Sequence, residues 1–238
     1  MKISELKGVM GAIEFHDKLN PSLWENYMLK PEVSERLSKI ANFFIDFLDV
    51  EDLKVVDITV SGSNAAFTYT LKSDIDLHIV VEVDSDKQAL MRNFFDAKKT
   101  IFNSQHEIVI KKQPVELYVQ FSDQPHASAG IFSIMHHKWL SKPKKVEAKI
   151  DDSDVQSKAK SYVNSISDAI RKRDIDAVNK IWEKIKEDRK EGLSKHGEFG
   201  TENLVFKTLR NAGFLELLTK FKKIYVSQQL SLEHANEI

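Results

Sequence analysis

From Val33 to Val50 the apolar residues Leu37, Ile40, Phe44, Phe47 and Leu48 recur at steps of three and four, the spacing of a helix that buries one face. Lys54 to Val60 (KVVDITV) is short, rich in β-branched residues and closed by Ser61-Gly62-Ser63, which predicts a strand running into a turn. From Asp74 to Val83 the chain alternates. Ile75, Leu77, Ile79, Val81 and Val83 fall on one face of the predicted strand, and Asp74, Asp76 and His78 on the other. A helix is expected over Lys87 to Asn103, capped by Asp84 or Ser85. Residues 107–110 and 115–121 then read as two strands joined by a polar connection. In the second, Val115, Leu117, Val119 and Phe121 form the apolar face and leave Glu116, Tyr118 and Gln120 opposite.

After Trp139 the strand signals fade. Ser141 to Lys145 (SKPKK) opens a linker over 141–150, which separates a core of residues 1–140 from a helical module of residues 151–238. Ser153 and Gln156 have capping-box spacing, and Val155, Ala159, Tyr162, Val163, Ile166 and Ile170 follow at helical period. A second helix carries Ile175, Val178, Trp182 and Ile185; a third opens at Thr201, is interrupted near Gly213 and resumes through Phe214, Leu217, Phe221 and Ile224. Ser227 to Ile238 are expected to fray. The predicted fold class is α+β, a mixed β-sheet with flanking helices followed by an all-helical module. The pair His136-His137 is placed on a strand, where adjacent side chains point to opposite faces, one to solvent and one to packing.

Composition changes this picture in three ways. Few Gly and Pro among 238 residues, with 42% hydrophobic and 30% charged, describe a globular chain. The absence of cysteine excludes disulfides, thiolate ligands and a cysteine nucleophile, so any metal must sit on oxygen or imidazole; it also fits a cytoplasmic setting. No apolar run is long enough for a membrane span, and no membrane partner is expected. A net charge of −1 argues against a long nucleic-acid footprint. Residues 1–140 hold 15 Lys and Arg against 20 Asp and Glu, while 141–238 hold 20 against 16, so attraction for phosphate is expected from the C-terminal part.

The candidate chemistry lies in Val60 to Val83, VSGSNAAFTYTLKSDIDLHIVVEV. A period of two brings Asp74 and Asp76 to one face, where two carboxylates repel each other unless divalent cations compensate. Hard oxygen ligands suit Mg²⁺ or Mn²⁺. Glu116, mid-strand and opposite an apolar face, is the candidate third ligand; its plainer reading is a solvated acid beside Lys111 or Lys112.

A Gly-Ser turn, a short helix, Ser-Asp-Ile-Asp-Leu and a later strand with a central acid together resemble the DNA polymerase β-like nucleotidyltransferase superfamily. The phrases PVELYVQFSDQPH and GEFGTENLVFKTLRNAGFLELL are also similar to predicted nucleotidyltransferases of large tailed bacteriophages. The resemblance implies that Asp74, Asp76 and Glu116 are the catalytic, metal-holding acids. It also implies that Gly62 and Ser63, at the start of a short helix near Asn64 to Thr70, hold nucleotide phosphates together with Lys72 and Ser73. The implied reaction is Mg²⁺- or Mn²⁺-dependent transfer of a nucleoside monophosphate from a nucleoside triphosphate to an acceptor hydroxyl, releasing pyrophosphate. The acceptor stays open between an RNA 3′ end, a small molecule and a protein hydroxyl. Alternatives are a toxin or antitoxin of the same fold and a non-catalytic nucleotide-binding partner module. His78 continues the Asp74 and Asp76 face as a substrate contact or a packed neighbour, and Lys138 is a phosphate contact or a solvent lysine. Arg189, Lys195, Lys207 and Arg210 are the module's candidates for cleft contacts, the module being expected to form the cleft's other wall.

Overall fold

The computed structural model describes residues 13–125, 128–145 and 150–232. The chain divides into two compact units, one spanning residues 13–146 and the other containing residues 150–232. Six α-helices, a six-stranded mixed sheet, a two-stranded hairpin and two 3-10 turns make up the described regular structure, and none of these helices is long and apolar enough to cross a membrane.

The first unit opens with a small hairpin, β1 (Trp24–Glu25) and β2 (Met28–Leu29), turned by Asn26 and Tyr27, both at positive φ. Helix α1 (Pro31–Leu48) starts on Pro31, whose fixed φ suits a first helical position, and ends where Asp49 turns left-handed. Its stripe of Val33, Leu37, Ile40, Ala41, Phe44 and Leu48 is buried, as its spacing predicts.

Six strands form the main sheet: β3 (Lys54–Ser61), β4 (Ile75–Glu82), β5 (Val109–Ile110), β6 (Gln113–Phe121), β7 (Ile131–Ser133) and β8 (Lys138–Ser141), in the order β5-β6-β4-β3-β7-β8. Strand β4 is central. It pairs antiparallel with β3 and parallel with β6, so the sheet is mixed. Helix α2 (Gln88–Gln105) makes the crossover that a parallel pair requires. Ile75, Leu77, Ile79 and Val81 alternate fully buried along β4 and share one core with Leu117 and Phe121 of β6, Phe95 and Phe102 of α2, and the buried stripe of α1. Truncating one such aliphatic side chain to alanine costs about 2–5 kcal/mol. The opposite face of the strand carries Asp76, His78, Val80 and Glu82.

Several expectations are corrected here. The short helix near Asn64 to Thr70 is one 3-10 turn, Ser63–Ala65, after which Ala66 is extended. His136 and His137 lie in the turn joining β7 to β8, where His137 has positive φ, and not on a strand. Neither Asp84 nor Ser85 caps α2; Lys87 stands at that position without a side-chain cap, and Asp84 pairs with the Lys87 ammonium. Strand β8 runs to Ser141, the first residue of the expected linker.

The second unit is helical: α3 (Asp152–Arg171), α4 (Ile175–His196), α5 (Thr201–Asn211) and α6 (Phe214–Leu230). Asp151, rather than Ser153, caps α3, accepting from the N–H groups of Ser153 and Asp154. Asp174 caps α4 through Ala177 N–H, and Gly213 at positive φ breaks α5 from α6. Val155, Ala159, Val163, Ile166, Val178, Ile185, Leu204, Leu209 and Leu218 are buried. The fraying expected from Ser227 is not seen before Leu230, since α6 continues to that residue; the last six positions lie outside the described residues.

Candidate active site

Strand pairing alone brings the three predicted acids together. Asp76 on β4 stands opposite Ser61 at the end of β3 and, on its other side, opposite Glu116 of β6. Asp74 precedes β4 by one residue and shares the face of Asp76. One carboxylate oxygen from each of Asp74, Asp76 and Glu116 lies within 4.8 Å of the others, and all three residues are half-buried. A one-residue slip in the β4–β6 register would place Leu117 beside Asp76, so the clustering depends on a single register.

Gly62 follows β3 with φ of 74° and ψ of −163°. A Cβ on this residue would stand 1.8 Å from Asp76 Oδ2, inside any permitted contact. The glycine is therefore demanded first by the carboxylate of Asp76, which fills the space a side chain would take. Its N–H donates to Ser128 Oγ at 3.1 Å, and Ser128 in turn donates to Gly130 O. Ser63 Oγ donates to Ser73 Oγ at 2.8 Å, and Ser73 Oγ accepts from Thr70 N–H at 2.9 Å. The predicted pair Ser63 and Ser73 is thus joined directly across the ten-residue segment between them. Lys72 lies on the exposed part of that loop, its N–H donating to Thr70 Oγ1.

Asn64, which the sequence pattern does not single out, holds this loop in place. Fully buried, its amide nitrogen lies 2.8 Å from Asp74 O, 3.0 Å from Gln113 Oε1 and 3.2 Å from Ser73 O, while its Oδ1 accepts from Asn20 Nδ2 at 2.9 Å. Its own carbonyl accepts from the Trp24 indole at 2.7 Å. One side chain therefore ties the Gly62-Ser63 turn to the backbone of Asp74 and to the start of the Glu116 strand. A buried amide so fully engaged is costly to remove.

Tyr118 is the second residue whose role the sequence does not reveal, although its face is read correctly. Its hydroxyl donates to Glu116 Oε2 at 2.5 Å. Its ring stacks on His78, its cross-strand partner, with centroids 5.0 Å apart, and the Lys99 ammonium lies 5.1 Å from the ring centre. Burial, then the negative charges of Asp76 and Glu116, the hydrogen bond to Glu116 and the charge of Asp74 all push the phenol's pKa far up. The hydroxyl stays protonated and remains a donor. His78 also contacts Ser61 Oγ through Nε2 at 3.1 Å, so it is packed between β3 and β6.

Arg189 and Lys195 are engaged within the helical unit. The Arg189 guanidinium lies 3.9 Å from the Phe206 ring centre and bonds Asn203 Oδ1, and Lys195 pairs with Glu191. Lys138 opens β8 as an exposed residue.

No family model matches this chain, and no curated protein does. Among solved structures, a STING-associated CdnE c-di-GMP synthase from Capnocytophaga granulosa is similar at 13% identity, covering 84% of this chain and 83% of that one, with a TM-score of 0.23. At that score the likeness decides nothing, and the chemistry rests on the chain's own residues.

The donor set fits a hard divalent cation. Three carboxylates, from β4, the residue before it and the adjoining β6, converge on one half-buried point, all ligands are oxygen, and the turn beside them has its Cβ space taken by one of those acids. Asp74, Asp76 and Glu116 are the residues that could hold such an ion.

Proposed function

We propose that the protein is a nucleotidyltransferase that moves a nucleoside monophosphate from a nucleoside triphosphate to an acceptor hydroxyl. The observation that supports this most is the convergence of Asp74, Asp76 and Glu116 at the mouth of the Gly62-Ser63 turn. Divalent ions bound there would supply charge neutralisation and activation of the attacking hydroxyl for an in-line displacement at phosphorus.

The chain's own residues divide the remaining work. Asp74 and Asp76, which share one face, would hold the ions together with Glu116, one strand away, and Glu116 would serve the acceptor side. In the turn after Gly62 the N–H groups of Ala65 and Ala66 close the turn and that of Gly62 donates to Ser128, so the backbone contacts to the triphosphate would come from Ser63 and Asn64. Ser63 and Ser73, already bonded to each other, and Lys72 on the same loop are the side chains nearest in sequence to those phosphates. The acceptor is a hydroxyl of an RNA end, a small molecule or a protein, and the protein acts in the cytoplasm.

The test is incubation of the full chain with each α-labelled nucleoside triphosphate, Mg²⁺ or Mn²⁺, and separate pools of RNA, protein and small-molecule acceptors. Label should enter one pool with release of pyrophosphate, and the Asp74→Asn, Asp76→Asn double variant should leave every pool unlabelled. Label transfer by that double variant would overturn the assignment of the acids.

A further inference from the structure

Among the three acids, Glu116 has the longest side chain and so the greatest freedom to swing or to bind through both oxygens. Left free, it could clamp a large cation bidentately. The structure removes that freedom with one residue. Tyr118, two positions along the same strand and therefore on the same face, reaches back to donate its hydroxyl to Glu116 Oε2 at 2.5 Å. The tyrosine is itself immobilised, by stacking on His78 across the β4–β6 register and by the Lys99 ammonium over its ring, with Lys99 anchored to Asp96 at 3.2 Å.

We infer that Tyr118 is a positioning residue that occupies one oxygen of Glu116, leaves the other for a single metal contact, and so biases the site toward small octahedral cations and against Ca²⁺. The physical basis is the difference in what the ions accept. Mg²⁺ and Mn²⁺ take one oxygen from each carboxylate in a tight shell, whereas Ca²⁺ has a wider, flexible shell that readily includes a bidentate carboxylate. An oxygen already bonded to a rigid phenol is poorly available for the second contact. The ring packing explains why a tyrosine does this better than a mobile lysine or serine: the donor is held before any ion arrives.

This inference rests on the metal-dependent reading above, and competition for bound Mn²⁺, followed by its electron paramagnetic resonance signal on the full chain, separates the two. In the wild type, Mg²⁺ is expected to displace Mn²⁺ at lower concentration than Ca²⁺. In Tyr118→Phe, which keeps the ring and its stacking, the ratio of Ca²⁺ to Mg²⁺ affinity should rise about tenfold, the size expected for a lost hydrogen bond to a charged group. The same tyrosine change made in a Glu116→Gln background should leave the ratio unmoved, at the higher Mn²⁺ concentration two remaining carboxylates require, because the tyrosine acts only through that acid. An unchanged ratio in Tyr118→Phe, or an equal shift without Glu116, would overturn the positioning role while leaving the nucleotidyltransferase reading intact. Failure of the wild type to bind Mn²⁺ at all would overturn both. Thermal melting confirms in each case that the variant is folded.

Discussion

The two units differ in the balance of their polar contacts. In the helical unit most ion pairs join surface neighbours one helical turn apart, Lys158 with Asp154, Lys172 with Asp168, Lys184 with Asp188 and Lys195 with Glu191, while Lys158 with Glu202 and Tyr162 with Asp188 reach between helices. In the sheet unit the notable polar contacts are buried and distant in sequence. Asn64 reaches Asn20 and Gln113, and Ser133 Oγ reaches the buried carboxylate of Asp57 at 2.8 Å. Pairs of the first kind form as soon as the helix does and contribute little. Contacts of the second kind exist only in the finished fold, and leaving one unmade costs far more. The candidate chemistry sits among the second kind, where a wrong geometry is penalised.

Substitutions in both units test this contrast. The largest effect is expected on activity, where Asp74→Asn, Asp76→Asn or Glu116→Gln should each lower nucleotide transfer by about three orders of magnitude, the scale of losing a preorganised electrostatic contact. Each variant should melt no lower than the wild type in metal-free buffer, since removing one acid relieves like-charge repulsion. Mg²⁺ with nucleotide should stabilise only the wild type, by about 2.7 kcal/mol at a hundredfold excess over Kd. A variant that melts much lower without metal would show that the carboxylate was structural.

Next is Asn64→Leu, which strips the carbonyls of Ser73 and Asp74 and the Gln113 amide of their partner; a loss of about 3 kcal/mol in urea denaturation is expected, with metal binding falling alongside. Gly62→Ala sharpens the question of what the glycine serves. Its Cβ would collide with Asp76 Oδ2, so Mn²⁺ affinity should fall even without nucleotide, whereas Ser63→Ala should cost only about 1 kcal/mol in triphosphate binding. Triphosphate affinity lost with metal affinity intact would return Gly62 to a purely phosphate-holding role.

The smallest effects belong to the helical unit. Arg189→Ala removes the cation from the Phe206 face and one bond to Asn203, with about 1–2 kcal/mol expected in thermal stability. Lys195→Ala should stay within about 0.5 kcal/mol. Parity between these two would erase the distinction between a half-buried and an exposed cation within that unit.

What could be read from the sequence divides along the same line. The alternation over Ile75 to Val81 predicts strand β4 and the face of its acids, because a half-buried strand writes its burial into neighbouring residues. The stripe of α1 and the helices after residue 150 are legible for the same local reason. Strand β7 is not, since Ile131–Ser133 is too short to show a period. Nor is the β1–β2 hairpin, whose turn uses Tyr27 at positive φ where a glycine or asparagine would signal it. At the site, the acids and the Gly-Ser turn are visible as residue types at a spacing. Asn64, Ser128 and Tyr118 are not, because their importance lies in which distant atoms they meet, and local pattern contains no record of that. Gly62 falls between: its presence is readable, but its reason, the carboxylate packed against it, is not.

The parallel pairing of β4 with β6 has a consequence for the order in which the chain folds. Two of the acids come with β4, beside an antiparallel neighbour, but Glu116 reaches them only after the chain has travelled the length of α2 and returned. Closing such a non-local pair is slow, and here the strand that docks brings a third negative charge toward two already in place. Docking of β6 is thus expected to respond to ionic conditions, and refolding of the full chain should be faster with divalent cations than without them.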